Sequence, residues 1–253
     1  FTVVANESTY WRETSCGRYT GDGWVRTAGS QPYAGADLPN DSTTRILEQR
    51  VLVNRSIDGV PGAWRPVQLT GLQDARRGED GSFVVRDALE SGTNYTVTSV
   101  VPVYNTSTLN ATGTADTRAV YTQLPESTAP RVANATAQIT SGATTPYQTA
   151  VAVERWLEAN KNYTLEVERP DGRIAENFLY EMDAGYCTYF ATTMVVMLRT
   201  EGIPARFVTG YTPGVQVGED RWAVLDQHSH AWVEVYLPDA GWVRFDPTPG
   251  GPR

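Results

Sequence analysis

The chain has 253 residues, of which 40% are hydrophobic and 10% aromatic, and its formal net charge is −8. This composition supports one large or two ordinary hydrophobic cores and excludes a chain that is disordered throughout. No apolar run approaches the roughly 20 residues of a membrane helix, so we expect no bilayer-spanning segment in this sequence. The acidic balance argues against nucleic acid or an anionic membrane as the partner.

The basic residues are almost all arginines, since only Lys161 among the 21 is a lysine. An acidic excess with almost no lysine resembles the composition of halophilic proteins, many of them archaeal. A GC-rich genome, which prefers arginine codons, explains the ratio of lysine to arginine by itself. It does not explain the acidic excess, so the composition favours adaptation to salt.

Eight Asn-x-Ser/Thr sequons are spread along the chain, and together they predict a glycoprotein. The chain begins at Phe1 with neither an initiator Met nor a signal peptide, which is typical of a segment excised from a longer protein. We therefore expect an extracytoplasmic domain at the cell surface. The candidate glycosylation sites are Asn6, Asn40, Asn54, Asn94, Asn105, Asn110, Asn134 and Asn162.

Residues 1–127 have the pattern of β-strands separated by turns. Apolar and polar residues alternate over 95–103, and other runs rich in strand-forming residues cover 45–53, 64–69 and 82–86. No helix-period pattern of useful length occurs in this part. We therefore expect a β-rich N-terminal region, built as a small β-sandwich or an open sheet.

A polar stretch at 124–130 marks a boundary, and residues 128–253 have an α+β pattern in which helices come first. Thr144 or Thr145 can cap a helix that has Pro146 at its first position.

Two helical segments are expected after the boundary, and the capped helix is the second of them. A third, nearly apolar helix is expected from about 187 to 200 and should lie buried. Gly202 is placed to end this helix, and Pro204 prevents its continuation. The strands expected after it cover 205–211, 229–237 and 242–246.

Few residues can carry nucleophilic chemistry, because the chain has only two cysteines and two histidines. Cys187 stands at the start of the apolar helix, where the helix N-terminus favours the thiolate and free N–H groups can stabilise an oxyanion. A thiolate needs a base for its proton, and the base needs an acceptor that fixes its tautomer. His230 and Asp246, on the last two expected strands, fill these two roles.

The second half of the chain carries four motifs, Gly185-x-Cys187, Leu198-Arg199-x-x-Gly202-Ile203-Pro204, His230-Ala231-Trp232-x-Glu234 and Gly241-Trp242-x-x-x-Asp246-Pro247-Thr248-Pro249. In this order and spacing they resemble the transglutaminase-like superfamily. The resemblance implies a papain-like fold of the cysteine proteinase superfamily, with Cys187 as nucleophile, His230 as base and acid, and Asp246 as the residue that orients His230. It also implies a membrane-anchored protein of the bacterial and archaeal branch, and chemistry without a cofactor.

The implied function is cysteine-dependent acyl transfer or hydrolysis at peptide or glutamine amides, through a thioester, with a peptide or protein of the cell envelope as substrate. We expect Tyr186, Trp232 and His228 to line the substrate cleft. A different class of function stays open, namely a non-catalytic binding or scaffold domain that retains the fold. Cys187 can also be a structural thiol or pair with Cys16 in a disulfide.

A metal site is a further alternative. His228 and His230 form an H-x-H, and positions two apart on a strand face the same side. With Asp226 or Asp246 they offer three ligands to a metal ion, although a site at good spacing needs a further nitrogen or sulfur ligand. We therefore expect no metal centre.

The loop between the last two strands decides whether His230 and Asp246 share a face. A loop of three residues, 238–240, pairs Asp246 with Trp232 and makes His230 its diagonal neighbour on the same face. A four-residue loop pairs Asp246 with Val233 instead and turns the carboxylate away. The triad therefore requires the shorter loop, or a bulge that restores the same parity.

The composition generates a prediction about salt. If the acidic, lysine-poor surface is an adaptation, repulsion among excess carboxylates destabilises the folded state, and ions screen this repulsion. We expect the melting temperature, followed by circular dichroism, to climb markedly from low salt to molar KCl. A flat curve would favour the codon-usage explanation.

Overall fold

The computed structural model describes residues 1–38, 44–112, 119–128 and 130–250, so the sequon at Asn40 lies outside the described residues. The described residues form a six-stranded and a four-stranded antiparallel sheet, three smaller sheets and a group of helices. The strands are β1 (Thr2–Val4), β2 (Trp11–Cys16), β3 (Arg18–Tyr19), β4 (Trp24–Val25), β5 (Ser30–Pro32), β6 (Thr44–Leu52), β7 (Pro66–Thr70), β8 (Arg76–Gly78), β9 (Phe83–Val84), β10 (Asn94–Pro102), β11 (Asn162–Tyr163), β12 (Ala184–Gly185), β13 (Ala205–Tyr211), β14 (Val215–Gly218), β15 (Arg221–Ala223), β16 (Ser229–Leu237) and β17 (Gly241–Phe245). The helices are α1 (Thr106–Leu109), α2 (Pro130–Ile139), α3 (Pro146–Asn160), α4 (Ile174–Tyr180) and α5 (Cys187–Thr200), with 3₁₀ turns at Ala119–Tyr121 and Asp226–His228.

The first sheet has six strands in the order β14-β15-β1-β6-β10-β7. Its longest pairing joins β6 and β10 over nine residues, from Asn94 opposite Leu52 to Pro102 opposite Thr44. These two strands confirm the predictions at 45–53 and 95–103. The runs at 64–69 and 82–86 correspond to β7 and to the short β9, which ends at Val84.

The second sheet has the order β17-β16-β13-β2. His230 lies in its strand β16, and Asp246 directly follows β17. The three C-terminal strands of this sheet confirm the predictions at 205–211, 229–237 and 242–246 within one residue at each end. The edge strand β2 comes from the N-terminal part of the chain, while the hairpin β14–β15 from the C-terminal part extends the first sheet. The two parts therefore exchange strands, which local patterns in the sequence did not indicate.

The helices confirm the local signals, and the described residues add two short helices, α1 and α4, that were not predicted. Thr145 caps α3 by accepting from the Gln148 N–H, and Gly202 has a φ of 72° just after the end of α5. The short α4 was not predicted, and its N-cap Arg173 makes no side-chain hydrogen bond that would signal a helix start. Within the described ranges, none of the helices combines the length and apolar character needed to cross a bilayer.

The main core lies between α5 and the second sheet. Ala231, Val233 and Val235 on one face of β16 belong to the same buried cluster as Phe190 and Met194 of α5. A second core fills the inner face of the six-stranded sheet. The opposite face of β16 is therefore left for His230, Trp232 and Glu234, because side chains alternate along a strand.

The sequon asparagines in the described residues are accessible with one exception. Asn110 is half-buried, and the other six are exposed. At Asn134 the sequon threonine, Thr136, is fully buried in α2 and donates its hydroxyl to the Val132 carbonyl. Glycosylation stays a prediction of the sequence, with this position as the least suited after folding.

A β-bulge at Glu13 shapes the edge of the second sheet. Thr14 pairs with Thr209 but Arg12 pairs with Gly210, so Glu13 is the extra residue. The backbones approach closely here, because a Cβ on Gly210 would overlap the Trp11 carbonyl oxygen and lie 2.8 Å from the Trp232 ring. Glycine is therefore required by this approach of β13 to β2.

This approach predicts the effect of Gly210→Ala. We expect it to lower the free energy of unfolding by about 3 kcal/mol, since rigid backbone and a buried indole must move. Gly142→Ala is the matched control, because nothing lies within 4 Å of its added Cβ. Denaturant unfolding of both variants checks the prediction, which equal losses of stability would contradict.

Candidate active site

The proposed nucleophile stands at the first residue of a buried helix. Tyr186 is the N-cap of α5 with extended backbone, and Cys187 follows as the first helical residue, half-buried. The parallel pairing of β11 with β12 places Tyr163 beside Gly185, next to this helix start. The thiol therefore lies where first-turn N–H groups have no partner within the helix.

His230 and Asp246 come together through the register of β16 and β17. Leu237 pairs with Gly241 and Val233 with Phe245, so the loop has three residues and Asp246 follows on the face of His230. His230 Nε2 lies 2.8 Å from Asp246 Oδ2. The three-residue loop is thus confirmed, and the carboxylate faces the imidazole.

The imidazole lies between a carboxylate and a thiol. Burial by itself would lower the pKa of His230, but hydrogen bonds to Asp246 and Cys187 and the charges of both groups raise the pKa to about 9. Because Nε2 is taken by Asp246, Nδ1 is left to face Cys187. At neutral pH the His230 ring is therefore held as an imidazolium, with its positive charge beside the Cys187 sulfur.

Asp246 is held by more groups than the sequence suggested. Its Oδ2 also accepts from the Tyr10 hydroxyl at 2.6 Å, and its Oδ1 accepts from the Thr248 N–H at 3.1 Å. Its own N–H donates to Glu154 Oε1 at 2.8 Å. Burial tends to raise the pKa of Asp246, but the hydrogen bonds and charge of His230, with the Tyr10 hydrogen bond, bring the pKa below its usual value.

Three of these residues were missed as site residues by sequence reasoning. Tyr10 and Glu154 lie 236 and 92 residues from Asp246, too far for any local pattern to link them. Tyr163, which is 44% exposed, accepts a hydrogen bond from the backbone of Cys187 and stacks near Phe190. Only the pairing of β11 with β12 brings Tyr163 to the thiol.

The three residues expected to line a cleft occupy different places. Tyr186 is half-buried, and its ring meets that of Tyr189 edge-on at 4.7 Å beside the helix start. Trp232 is 1% exposed and supports His230 from behind, with ring centroids 6.4 Å apart. Trp232 thus offers almost no surface to a substrate.

His228 does not share a strand with His230, contrary to the H-x-H expectation. It ends the 3₁₀ turn that precedes β16, and its Nδ1 accepts from the Leu225 N–H at 3.0 Å. In the part of the chain that the structure describes, no three histidine, cysteine or acidic side chains are grouped to hold a metal ion.

Both cysteines are free thiols. Cys16 lies in β2, half-buried, and burial raises the pKa of its thiol above the usual value. The disulfide alternative therefore has no support in this structure, and the two thiols occupy electrostatically different environments.

Two family patterns match the chain, one in each of its two parts. The pattern of the transglutaminase-like superfamily core matches residues 133–247. These residues belong to the transglutaminase-like superfamily. The pattern described as the TgpA N-terminal domain matches residues 1–105.

Individual relatives are bacterial. The uncharacterized protein YebA of Bacillus subtilis is 32% identical over 99% of this chain, and a protein-glutamine gamma-glutamyltransferase of Pseudomonas aeruginosa is 28% identical over 96%. The chain spans 38% and 36% of the lengths of these two proteins. An archaeal origin and salt adaptation remain predictions from composition.

A solved structure shares the whole architecture. The crystal structure of the periplasmic domain of TgpA from Pseudomonas aeruginosa superposes with a TM-score of 0.74 at 22% identity, covering 97% of this chain and 86% of that one. This similarity confirms the α+β, transglutaminase-like fold together with the β-rich part that precedes it.

The different environments of the two thiols predict their reactivity. Iodoacetamide should alkylate Cys187 at least about tenfold faster than Cys16 at neutral pH, because Cys187 stands at a helix start beside the His230 imidazolium whereas burial raises the pKa of Cys16. Peptide mapping by mass spectrometry measures both rates in one sample. His230→Gln should slow only Cys187, whereas similar rates for the two thiols, or a disulfide between them, would contradict the assignment.

Proposed function

We propose that this domain catalyses cysteine-dependent acyl transfer or hydrolysis at peptide or glutamine amides. The observation that carries this proposal is the line of three groups in which Asp246 lies 2.8 Å from His230 and His230 hydrogen-bonds to Cys187. Nucleophile, base and orienting acceptor are the three parts of this chemistry. The transglutaminase-like core over 133–247 supports it.

In the first step the Cys187 thiolate attacks the amide carbonyl carbon. The C–S bond forms as the carbonyl π-electrons move to oxygen, which gives a tetrahedral oxyanion. The His230 imidazolium then gives its proton to the departing nitrogen, so ammonia or an amine leaves and a thioester remains. Asp246 keeps Nε2 of the ring engaged throughout, which leaves Nδ1 aligned with the sulfur.

In the second step neutral His230 acts as a base. It takes a proton from water or from a second amine, whose oxygen or nitrogen attacks the thioester carbonyl. Collapse of the second oxyanion breaks the C–S bond and restores the thiolate and imidazolium. The acid and base roles therefore alternate on one ring, and the chemistry uses no cofactor.

The oxyanion has a place at the start of α5. The Cys187 N–H now donates to the Tyr163 hydroxyl, which fills the position that a carbonyl oxygen needs. When the substrate binds, its carbonyl oxygen replaces the hydroxyl at this N–H. The positive end of the helix dipole then favours the developing charge.

The substrate is proposed to be a peptide or protein of the cell envelope. One relative carries the name protein-glutamine gamma-glutamyltransferase, and the matching crystal structure is of a periplasmic domain. Both support an amide substrate outside the cytoplasm. Hydrolysis or a small amine acceptor is proposed over lysine cross-linking, since a chain with Lys161 as its one lysine indicates a proteome poor in surface lysines.

A labelling experiment tests the activity. The purified domain is incubated with a dansyl-amine and glutamine-containing envelope proteins, and mass spectrometry quantifies labelled, deamidated and cleaved peptides. We expect Cys187→Ala to abolish all products and Asp246→Asn to reduce the rate at least about 100-fold. Cys16→Ala is the matched control and should retain activity.

The outcome separates the candidate functions. Products that persist in Cys187→Ala would refute the triad. A folded wild-type domain that forms no product with any protein tested would favour the non-catalytic scaffold. Abundant γ-glutamyl-lysine with little deamidation or cleavage would overturn the preference for water or small amines.

A further inference from the structure

Tyr10 touches the candidate triad although it lies before the first strand of the second sheet. Its hydroxyl donates to Asp246 Oδ2 at 2.6 Å, and the same oxygen lies 2.8 Å from His230 Nε2. Tyr10 is 4% exposed, so its side chain is buried beside the triad. Two donors therefore share one carboxylate oxygen.

The surroundings of Tyr10 hold the ring in one place. Trp232 meets it edge-on with centroids 5.1 Å apart, and the Arg244 guanidinium lies 4.1 Å above it. Burial and the neighbouring Asp246 carboxylate raise the pKa of Tyr10, and the Arg244 guanidinium opposes this rise only in part, so the hydroxyl keeps its proton and stays a donor. The hydroxyl is thus fixed and directed at the carboxylate.

Resting on the function proposed above, we propose that Tyr10 is a positioning residue of the reaction, which tunes His230 by sharing the carboxylate oxygen of Asp246. A hydroxyl that donates to Oδ2 withdraws electron density from it. The carboxylate then attracts the imidazolium less strongly, and His230 releases its proton to the leaving amine more readily.

The charged and titratable groups around this pair come from several elements. Asp246 follows β17 and faces His230 and Tyr10, the Arg244 guanidinium lies over the Tyr10 ring, and the Glu154 carboxylate of α3 accepts from the Asp246 N–H. Cys187 at the start of α5 faces the other side of the imidazole. Tyr163 of β11 experiences the charges of both Cys187 and Asp246. Of these groups, only Tyr10 and His230 donate a side-chain hydrogen bond to Asp246.

The sign of the expected change follows from the shared oxygen. In Tyr10→Phe the ring packing is kept and one donor to Oδ2 is lost, so Asp246 becomes a better acceptor for the imidazolium. The pKa of His230 should then rise by roughly half a unit to one unit. This is the size expected when part of the free energy of one hydrogen bond to the Asp246 carboxylate is passed on to the imidazolium.

NMR titration of the histidine rings measures this directly and needs no substrate. The chain has two histidines, and His228 outside the pair serves as an internal reference. Tyr95→Phe is the matched control, because that buried hydroxyl donates to the Pro61 carbonyl at 3.2 Å in the core of the six-stranded sheet. We expect His230 to shift in Tyr10→Phe and to stay unchanged in Tyr95→Phe.

Activity and a second variant complete the test. With a small glutamine amide, kcat of Tyr10→Phe should fall roughly tenfold with KM unchanged, and the alkaline limb of kcat should move to higher pH. Arg244→Gln removes the cation above the ring and should move His230 in the same direction by less. This variant keeps the test decisive if Tyr10→Phe does not fold.

The outcomes distinguish this inference from the proposed function. An unmoved His230 in folded Tyr10→Phe, or equal shifts in both tyrosine variants, would overturn the role of Tyr10. A shifted His230 in a domain that turns over no amide would leave the coupling intact while refuting the function.

Discussion

The carboxylate of Glu234 binds two guanidinium groups inside the protein, and the joining of the two parts of the chain depends on it. Its Oε1 accepts from Arg12 Nε at 3.1 Å and its Oε2 from Arg206 Nε at 2.7 Å, with all three side chains nearly inaccessible. Removing one member of such a buried arrangement leaves an unpaired charge, which costs about 3–5 kcal/mol. The N-terminal strand β2 is thus bound to β16 by charge as well as by its pairing with β13.

Packing reinforces this connection. The Arg206 guanidinium lies 4.1 Å from the centre of the Trp242 ring, and that of Arg12 lies 4.9 Å from the Trp64 ring. The aromatic rings exclude water from the ion pairs and so strengthen their electrostatic attraction. Glu234 and Arg206 therefore act in the joining of strands.

The position of the candidate active site at this junction has a structural consequence. Cys187, His230 and Asp246 fall within the region matched by the transglutaminase-like core, whereas Tyr10 falls within the region matched by the TgpA N-terminal domain. The hydroxyl that contacts Asp246 thus comes from outside the core. The bulge at Glu13 sets the register of the edge strand that leads from Tyr10 into the sheet.

Local signals in the sequence determined the elements around the site. Thr145 with Pro146 specified the start of α3, and the apolar run closed by Gly202 specified α5, because capping and periodicity act over a few residues. The parity of the β16–β17 hairpin was not fixed by a local signal, because loops of three and four residues were both open; the triad required the three-residue loop that the structure has. With the four motifs, these signals placed the fold and brought Cys187, His230 and Asp246 together.

Only the tertiary structure decided which distant segments complete the site. Residues about 200 positions apart meet where β2 pairs with β13 and where Tyr10 contacts Asp246. Separate parts of the chain also meet where β1 lies between β6 and β15. Such contacts depend on packing and buried charge across the whole fold, and no local or periodic pattern in the sequence indicates them. His228 was expected on the same strand face as His230. It lies instead in the 3₁₀ turn before β16, and this follows from the path by which the chain enters that strand.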